Sequence, residues 1–137
     1  MQKYSINIIL GLIFFSIIVI VGCDDTITNS DIDNKIIPDN NVSFKEHIRP
    51  LLQVKCANSG CHNDSDRGGF SNYSVSTWAS ITSNTLYLLP YDPENSSLVW
   101  AIEGNSANPM PPVGYPPLTT NQIDGIKTWI LEGADNN

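Results

Sequence analysis

Cys56-Ala57-Asn58-Ser59-Gly60-Cys61-His62 is the stretch from which the rest of the chain can be interpreted. Two thiols followed directly by an imidazole form the arrangement that attaches haem covalently, because the thiols add to its vinyl groups and the imidazole reaches the iron. The usual spacer between the cysteines has two residues and this one has four, so the segment must bulge. Asn58-Ser59-Gly60 has the composition of a turn. The sequence therefore predicts one haem c, held by Cys56 and Cys61, with His62 as the proximal iron ligand.

Two other interpretations of the same residues stay open. Cys56 and Cys61 could form a disulfide in a protein without haem. They could also bind zinc, but a zinc site needs a third and a fourth ligand. Within residues 43–137, His47 is the only further histidine or cysteine. The histidine that directly follows the second cysteine favours haem over both.

A second axial ligand is sought among methionine and histidine, the usual choices for an electron-transfer haem. Met1 precedes the apolar N-terminal stretch, which leaves Met110 as the candidate distal ligand. It lies in Asn108-Pro109-Met110-Pro111-Pro112, which cannot be regular helix or strand. The prolines pre-order this loop, so little entropy is lost in holding the sulfur on iron. His47 and an open or water-bound site are the alternatives.

The N-terminal region has the features of a bacterial lipoprotein signal. Lys3 precedes an apolar run of about 14 residues, and the sequence then reads Ile20-Val21-Gly22-Cys23. We predict a signal peptide over residues 1–22, lipid on Cys23 and a disordered tether that completes residues 23–42. The tether could reach roughly 65 Å when fully extended. An uncleaved membrane anchor is the alternative, and either one places the protein in the cell envelope, facing the periplasm or the exterior.

The charge balance limits the partners. Removal of residues 1–22 takes away Lys3 and no acidic residue, which leaves six basic and 14 acidic side chains and a formal net charge of −8. Such a chain does not suit nucleic acid or anionic lipid. It favours redox partner proteins with a basic docking surface.

Helical signals recur through residues 43–137, and no stretch alternates like a strand. Ser43-Phe44-Lys45-Glu46 has the form of a capping box in which Glu46 reaches back, and Pro50 should kink or split the helix that follows. A second capping signal at 119–122 begins a helix that ends near Gly133. Shorter helices are expected over 93–103 and 76–82. Four short helices supply few large apolar residues, and a large apolar cofactor would complete the core. The expectation is a small all-α domain of three to four short helices and long loops.

Residues 47–137 resemble the small bacterial cytochrome c domains of the planctomycete type. The resemblance rests on His47-Ile48-Arg49-Pro50-Leu51-Leu52 before the cysteine motif, on 88–98 (LLPYDPENSSL), on Met110-Pro111-Pro112 and on the closing Ile126, Trp129 and Gly133. It covers about 90 of the 137 residues in the expected order. Tyr91 stands where a glycine is more usual in that family.

The resemblance implies a cytochrome c-like fold, in which the first and last helices cross beside one haem. It also implies His and Met ligation, here by His62 and Met110. The expected function is one-electron transfer without an enzymatic reaction. The alternatives are a haem protein with an open site, acting as a peroxidase or gas binder, and a haem-free disulfide-bonded interaction domain. Tyr73, Trp78 and Arg67 are candidate donors to the haem propionates.

Overall fold

The computed structural model describes residues 27–64 and 73–137, and within these ranges it is helical and has no strand. Five α-helices follow one another: α1 (Asn29–Asn34), α2 (Arg49–Lys55), α3 (Trp78–Thr82), α4 (Ser97–Ile102) and α5 (Thr120–Leu131). A π-helical turn, Phe44–Ile48, runs directly into α2, and a 3-10 turn, Pro93–Asn95, precedes α4. The predicted all-α class is confirmed. None of the described helices has the length and apolar content needed to cross a bilayer.

The start of the π-helical turn is capped as the sequence predicts, but only in part. Ser43 Oγ accepts a hydrogen bond from the amide of Glu46 at 3.2 Å. The reciprocal bond differs from the prediction, because the Ser43 amide donates to Nδ1 of His47 at 3.0 Å and not to the Glu46 carboxylate. Pro50 has no N–H for the Glu46 carbonyl four residues earlier. Lys35 Nζ donates to that carbonyl, and the split expected near Pro50 is present as the change from π to α geometry.

Helix α5 has both of its predicted ends. At its N-terminus, Thr119 and Gln122 form the complete reciprocal capping box. At its C-terminus, Gly133 has a φ of +114°, a conformation that glycine adopts without steric cost. The Gly133 amide donates to the carbonyl of Ile130 at 3.0 Å, and the Ala134 amide donates to that of Trp129 at 2.9 Å. This pair of bonds is the Schellman motif, and it ends the helix at the predicted glycine.

The core lies where the first and last helices of residues 43–137 meet. The rings of Phe44 and Trp129 pack with their centroids 5.4 Å apart. Side chains from both helices are fully buried there, namely Ile48, Leu51, Leu52, Ile126, Trp129 and Ile130. The amide of Phe44 donates to Oδ1 of Asn137 at 2.7 Å, which holds the chain beyond α5 against the start of the π-helical turn.

The disordered tether predicted up to residue 42 is wrong for residues 28–42, which we call the strap. Thr28 and Asp31 form a capping box at the start of α1. Ile32, Ile37 and Val42 are 5%, 4% and 1% exposed and belong to the same core as α2 and α5. Burial of each of these side chains stabilises the fold by about 1.5–3 kcal/mol. The folded domain therefore begins at Thr28 and not at Ser43.

Polar contacts fix the strap along the whole length of α5. Gln122 Nε2 donates to the carbonyl of Ile32 at 3.2 Å. Asn121 bonds both backbone groups of Ile37, at 2.8 and 2.9 Å. Two carboxylate oxygens of Glu132, directly after α5, accept the amides of residues 41 and 42 at 2.6 and 2.8 Å. The strap thus runs beside α5 from its first turn to its end.

An ion pair joins the strap to α2. Lys55 Nζ lies 2.7 Å from Oδ1 of Asp33, and only 1% of the Lys55 side chain is exposed. A buried ammonium group without a counter-ion is strongly destabilising. The ion pair with Lys55, and then the hydrogen bond from Gln122, lower the pKa of Asp33. The strap therefore supplies the charge that lets Lys55 be buried next to Cys56.

The unusual tyrosine of the resemblance has a structural explanation. Tyr91 has a φ of +68°, in the left-handed region that favours glycine. Its amide donates to the carbonyl of Ile130 at 2.8 Å. Its ring lies over Gly133, where a Cβ would come within 2.8 Å of the ring. The strained backbone is thus held by a hydrogen bond and by a ring contact with the end of α5.

Candidate functional site

The cysteine motif begins where α2 ends. Cys56 is the first residue after Lys55, and its amide still donates to the carbonyl of Leu52 at 2.9 Å, so the last turn of the helix fixes its position. The amide of His62 donates back to the carbonyl of Cys56 at 3.2 Å. The two ends of the motif are therefore joined through the main chain, although the spacer is longer than usual.

The four-residue spacer forms a compact turn. The amide of Cys61 donates to the carbonyl of Asn58 at 3.0 Å, and Gly60 has a φ of +78°. The side-chain amide of Asn58 donates to the carbonyl of Val54 at 3.3 Å, which ties the turn to α2. The extra residues are thus absorbed as the turn that Asn58-Ser59-Gly60 predicts.

Both thiols of the motif are free and partly buried. Burial raises the pKa of Cys56 to about 12, and the neighbouring Cys61 adds to this shift, while Lys55 opposes it. Cys56 is therefore a neutral thiol at physiological pH. Formation of a thioether adds S–H across a carbon–carbon double bond and releases no proton, whereas binding of a metal by sulfur requires the thiolate. The raised pKa of Cys56 therefore disfavours direct binding of a metal by its sulfur.

His62 is oriented by a backbone carbonyl that follows residues 65–72 in the sequence. Its Nδ1 lies 2.9 Å from the carbonyl oxygen of Tyr73. A carbonyl can only accept a hydrogen bond, so Nδ1 carries a proton, and in the neutral ring the lone pair is on Nε2. The amide of Val75 donates to the carbonyl of His62 at 2.9 Å and fixes the same chain segment. A hydrogen bond from the other ring nitrogen to a carbonyl sets the tautomer and ring orientation of metal-binding histidines in the same way.

Aromatic side chains form one wall beside His62. The ring of Tyr73 meets the His62 ring edge-on, with centroids 6.2 Å apart. The ring of Tyr87 packs on that of Tyr73 at 4.2 Å and remains 40% exposed. Burial raises the pKa of Tyr73, whose hydroxyl donates to the carbonyl of Ile81 at 2.8 Å. The surroundings of His62 thus include apolar surface that the described residues do not fully cover.

Met110 is placed by a different element. Its amide donates to the carbonyl of Ala101 in α4 at 2.8 Å, and its side chain is partly buried. The hydrogen bond fixes the proline-rich loop against α4. The approach of the Met110 sulfur to the iron side of His62 stays a prediction.

His47, the alternative axial ligand, has a structural role. Its Nδ1 accepts the Ser43 amide, as described above, and its ring lines a small cavity together with Lys35 and Gln122. Burial lowers the pKa of His47, and the charge of Lys35 lowers it further. The neutral ring is the form that can accept the Ser43 amide.

The candidate propionate donors are used elsewhere or lie outside the described residues. The hydroxyl of Tyr73 donates to Ile81, and Nε1 of Trp78 donates to the carbonyl of Ala134 at 2.7 Å. Arg67 and the predicted lipidation residue Cys23 are both outside the described ranges. What the sequence did not indicate is the Tyr73 carbonyl as the partner of His62, because a backbone carbonyl leaves no mark in the residue types.

The residues present fit a covalently held haem. Two free thiols flank a turn, one imidazole nitrogen is directed by a carbonyl so that the other can bind iron, and apolar rings lie beside it. No group of three or more His, Cys, Asp and Glu side chains suited to a metal ion occurs in residues 27–64 and 73–137. Comparisons with known protein families, with curated proteins and with solved structures found no match to this chain.

Proposed function

We propose that this chain is a membrane-anchored, single-haem c-type cytochrome that carries electrons outside the cytoplasm. The observation that carries the proposal is the His62 arrangement. Its Nδ1 is hydrogen-bonded to the Tyr73 carbonyl, and residues 56 and 61 are free cysteines. An imidazole held in this way directs Nε2 at a metal, and the cysteines can fix the group that brings the metal.

The chain's own residues would hold and orient the group. Haem bound here would supply an iron atom that accepts and returns one electron. Cys56 and Cys61 would hold it through thioethers, and the turn between them joins Cys56 to His62 through the main chain. The Tyr73 carbonyl restrains the His62 ring, so this ligand would move little when the iron changed its oxidation state. Small reorganisation is what an electron carrier needs.

The proposed fold is cytochrome c-like. Its support is the packing of the π-helical turn against α5, with Phe44 against Trp129, and the position of the cysteine motif directly after α2. Met110 is proposed as the distal ligand, since the loop that carries it is anchored on α4. A thioether opposite imidazole raises the reduction potential relative to two histidines.

The proposed location is the cell envelope, with lipid on Cys23. An acidic chain, with a formal net charge of −7 in the full sequence, is suited to redox partner proteins with a basic docking surface. Nucleic acid is not among the proposed partners.

The test is the absorption spectrum of the protein exported by a host that matures c-type cytochromes. The expected spectrum is that of a low-spin haem, reversibly reduced, whose colour stays with the denatured chain. The variant Cys56→Ala/Cys61→Ala should lose this covalent colour, while Ser59→Ala, in the spacer between them, should keep it. Resting high-spin iron would favour the open-site alternative, and an uncoloured wild-type protein would favour the haem-free disulfide domain.

A further inference from the structure

The strap changes how far the domain can stand from its anchor. Gln122, Asn121 and Glu132 bind it at the beginning and end of α5. Between them, α5 presents Gly125 to the strap, where a Cβ would come within 2.5 Å of the Ile37 side chain. A segment that fits against a glycine of the helix and is bonded at both ends belongs to the folded domain.

We propose that docking of the strap removes most of the slack in the lipid tether, so that the domain is held close to the surface of the membrane that holds Cys23. The inference rests on the proposed lipid on Cys23. Five Cα-to-Cα steps separate Cys23 from Thr28, where the folded domain begins, and a chain of that length spans at most about 18 Å whatever its conformation. A free tether up to residue 42 would reach roughly 65 Å.

A short tether limits both the distance of the folded domain from the membrane and its freedom to reorient. The first residue of the folded domain cannot leave the headgroup region by more than the span of those few residues. Under the proposed function, the domain then exchanges electrons with partners held at the same membrane surface. Lys55 and Asp33 connect this geometry to the candidate site, because Lys55 is paired with the strap and directly precedes Cys56.

Neutron reflectometry on the full lipidated chain tests the stand-off directly. The chain is bound to a supported phosphatidylcholine bilayer, and the distance from the headgroups to the onset of protein density is measured. We expect wild-type density to begin within about 20 Å of the headgroups. Insertion of 20 glycine and serine residues between Asp25 and Thr26 leaves the strap intact and should move the density outward by about 25 Å.

A strap-release variant provides the second measurement. Gly125→Val places its methyl groups against Ile37 and should also move the density outward. The variant Gly125→Val/Ile37→Ala removes Cγ2 and Cδ1 of Ile37 and so relieves most of the collision. It serves as the matched control, with density nearer to the wild-type position. A wild-type profile that coincides with that of the insertion variant would overturn the inference.

Failure of the anchor is distinguishable from failure of the strap and from failure of the haem assignment. Cys23→Ser should leave no protein layer on the bilayer. A layer that persists in this variant, or a wild-type chain that does not bind, overturns the anchor and the stand-off together. The absorption spectra of the same samples report on haem independently. A coloured protein whose density begins as far from the headgroups as that of the insertion variant would therefore refute only the docking of the strap.

Discussion

The packing of Ile37 against Gly125 makes a quantitative prediction for a pair of substitutions. Gly125→Ala alone gains helix propensity of about 1 kcal/mol. It also places a Cβ 2.5 Å from Cγ2 of Ile37, with Cβ and Cδ1 both at 2.9 Å. Overpacking of this kind costs about 1–3 kcal/mol. Net stability should therefore be unchanged or fall by up to about 2 kcal/mol.

The partner substitution weakens that effect. Ile37→Ala removes a side chain that is 4% exposed and should cost about 2–5 kcal/mol. Of the three Ile37 atoms that lie closest to a Cβ at position 125, it removes Cγ2 and Cδ1 and keeps Cβ. In that background the remaining contact with Cβ of residue 37, at 2.9 Å, offsets the gain in helix propensity, so Gly125→Ala should be close to neutral. The coupling free energy between the two positions should thus be up to about 2 kcal/mol.

Urea unfolding of the four proteins, followed by the fluorescence of the buried Trp129, gives the free energies of unfolding. Equal effects of Gly125→Ala in both backgrounds would mean that Ile37 does not lie on α5 in solution. The docked strap would then be wrong.

Three further substitutions address other parts of the molecule. Asp33→Asn leaves the buried Lys55 without its counter-ion and should lower the free energy of unfolding at pH 7 by about 3 kcal/mol, the lower end for a buried pair because the Asp33 side chain is 39% exposed. Lys55 and then Gln122 hold the pKa of Asp33 in the folded protein below its ordinary 3.8, so the stabilisation is present above pH 3.8 and is lost as the pH falls through the lowered pKa. Urea titrations of the wild type and the variant at several pH values measure this loss. A difference in unfolding free energy between the two proteins that grows on acidification would contradict the ion pair. Tyr91→Gly should be more stable than Tyr91→Ala by about 1 kcal/mol, because only glycine relieves the left-handed backbone, and thermal melting that ranks the two variants the other way would refute the strain. Met110→Ala should open the sixth site and lower the reduction potential in a spectroelectrochemical titration, and an unchanged potential would refute the ligand assignment.

The parts of the fold that the sequence predicts are those encoded by neighbouring residues. Thr119 and Gln122 are three residues apart, and Gly133 follows the last apolar residues of its helix, so the signals at both ends of α5 are local. The turn at Asn58-Ser59-Gly60 is local in the same way. The capping box at Ser43 was only half predicted, because His47 competes with Glu46 for the same amide over a similar distance.

The strap could not be predicted from its own sequence. Ile32, Ile37 and Val42 are each five residues apart, a spacing that matches neither a helix nor a strand, and they stand among polar residues typical of disorder. Their partners on and directly after α5 lie 84 to 90 residues further along the chain. Only the tertiary structure brings Gly125 to Ile37, and a glycine in mid-helix has no local explanation without it.

The candidate site divides in the same manner. The cysteines and His62 are recognisable because the residue types themselves carry the chemistry. The Tyr73 carbonyl that orients His62 and the Ala134 carbonyl that accepts from Trp78 are backbone groups, present in nearly every residue. Which of them is used depends on how the chain returns after α2, and this is a property of the fold.

Intact-mass measurement of the processed chain, isolated from cells that mature c-type cytochromes, tests the central claim most directly. We expect a polypeptide heavier by one haem, with the added mass on the peptide that contains residues 56–62. A processed chain found at its bare or lipid-only mass would contradict it.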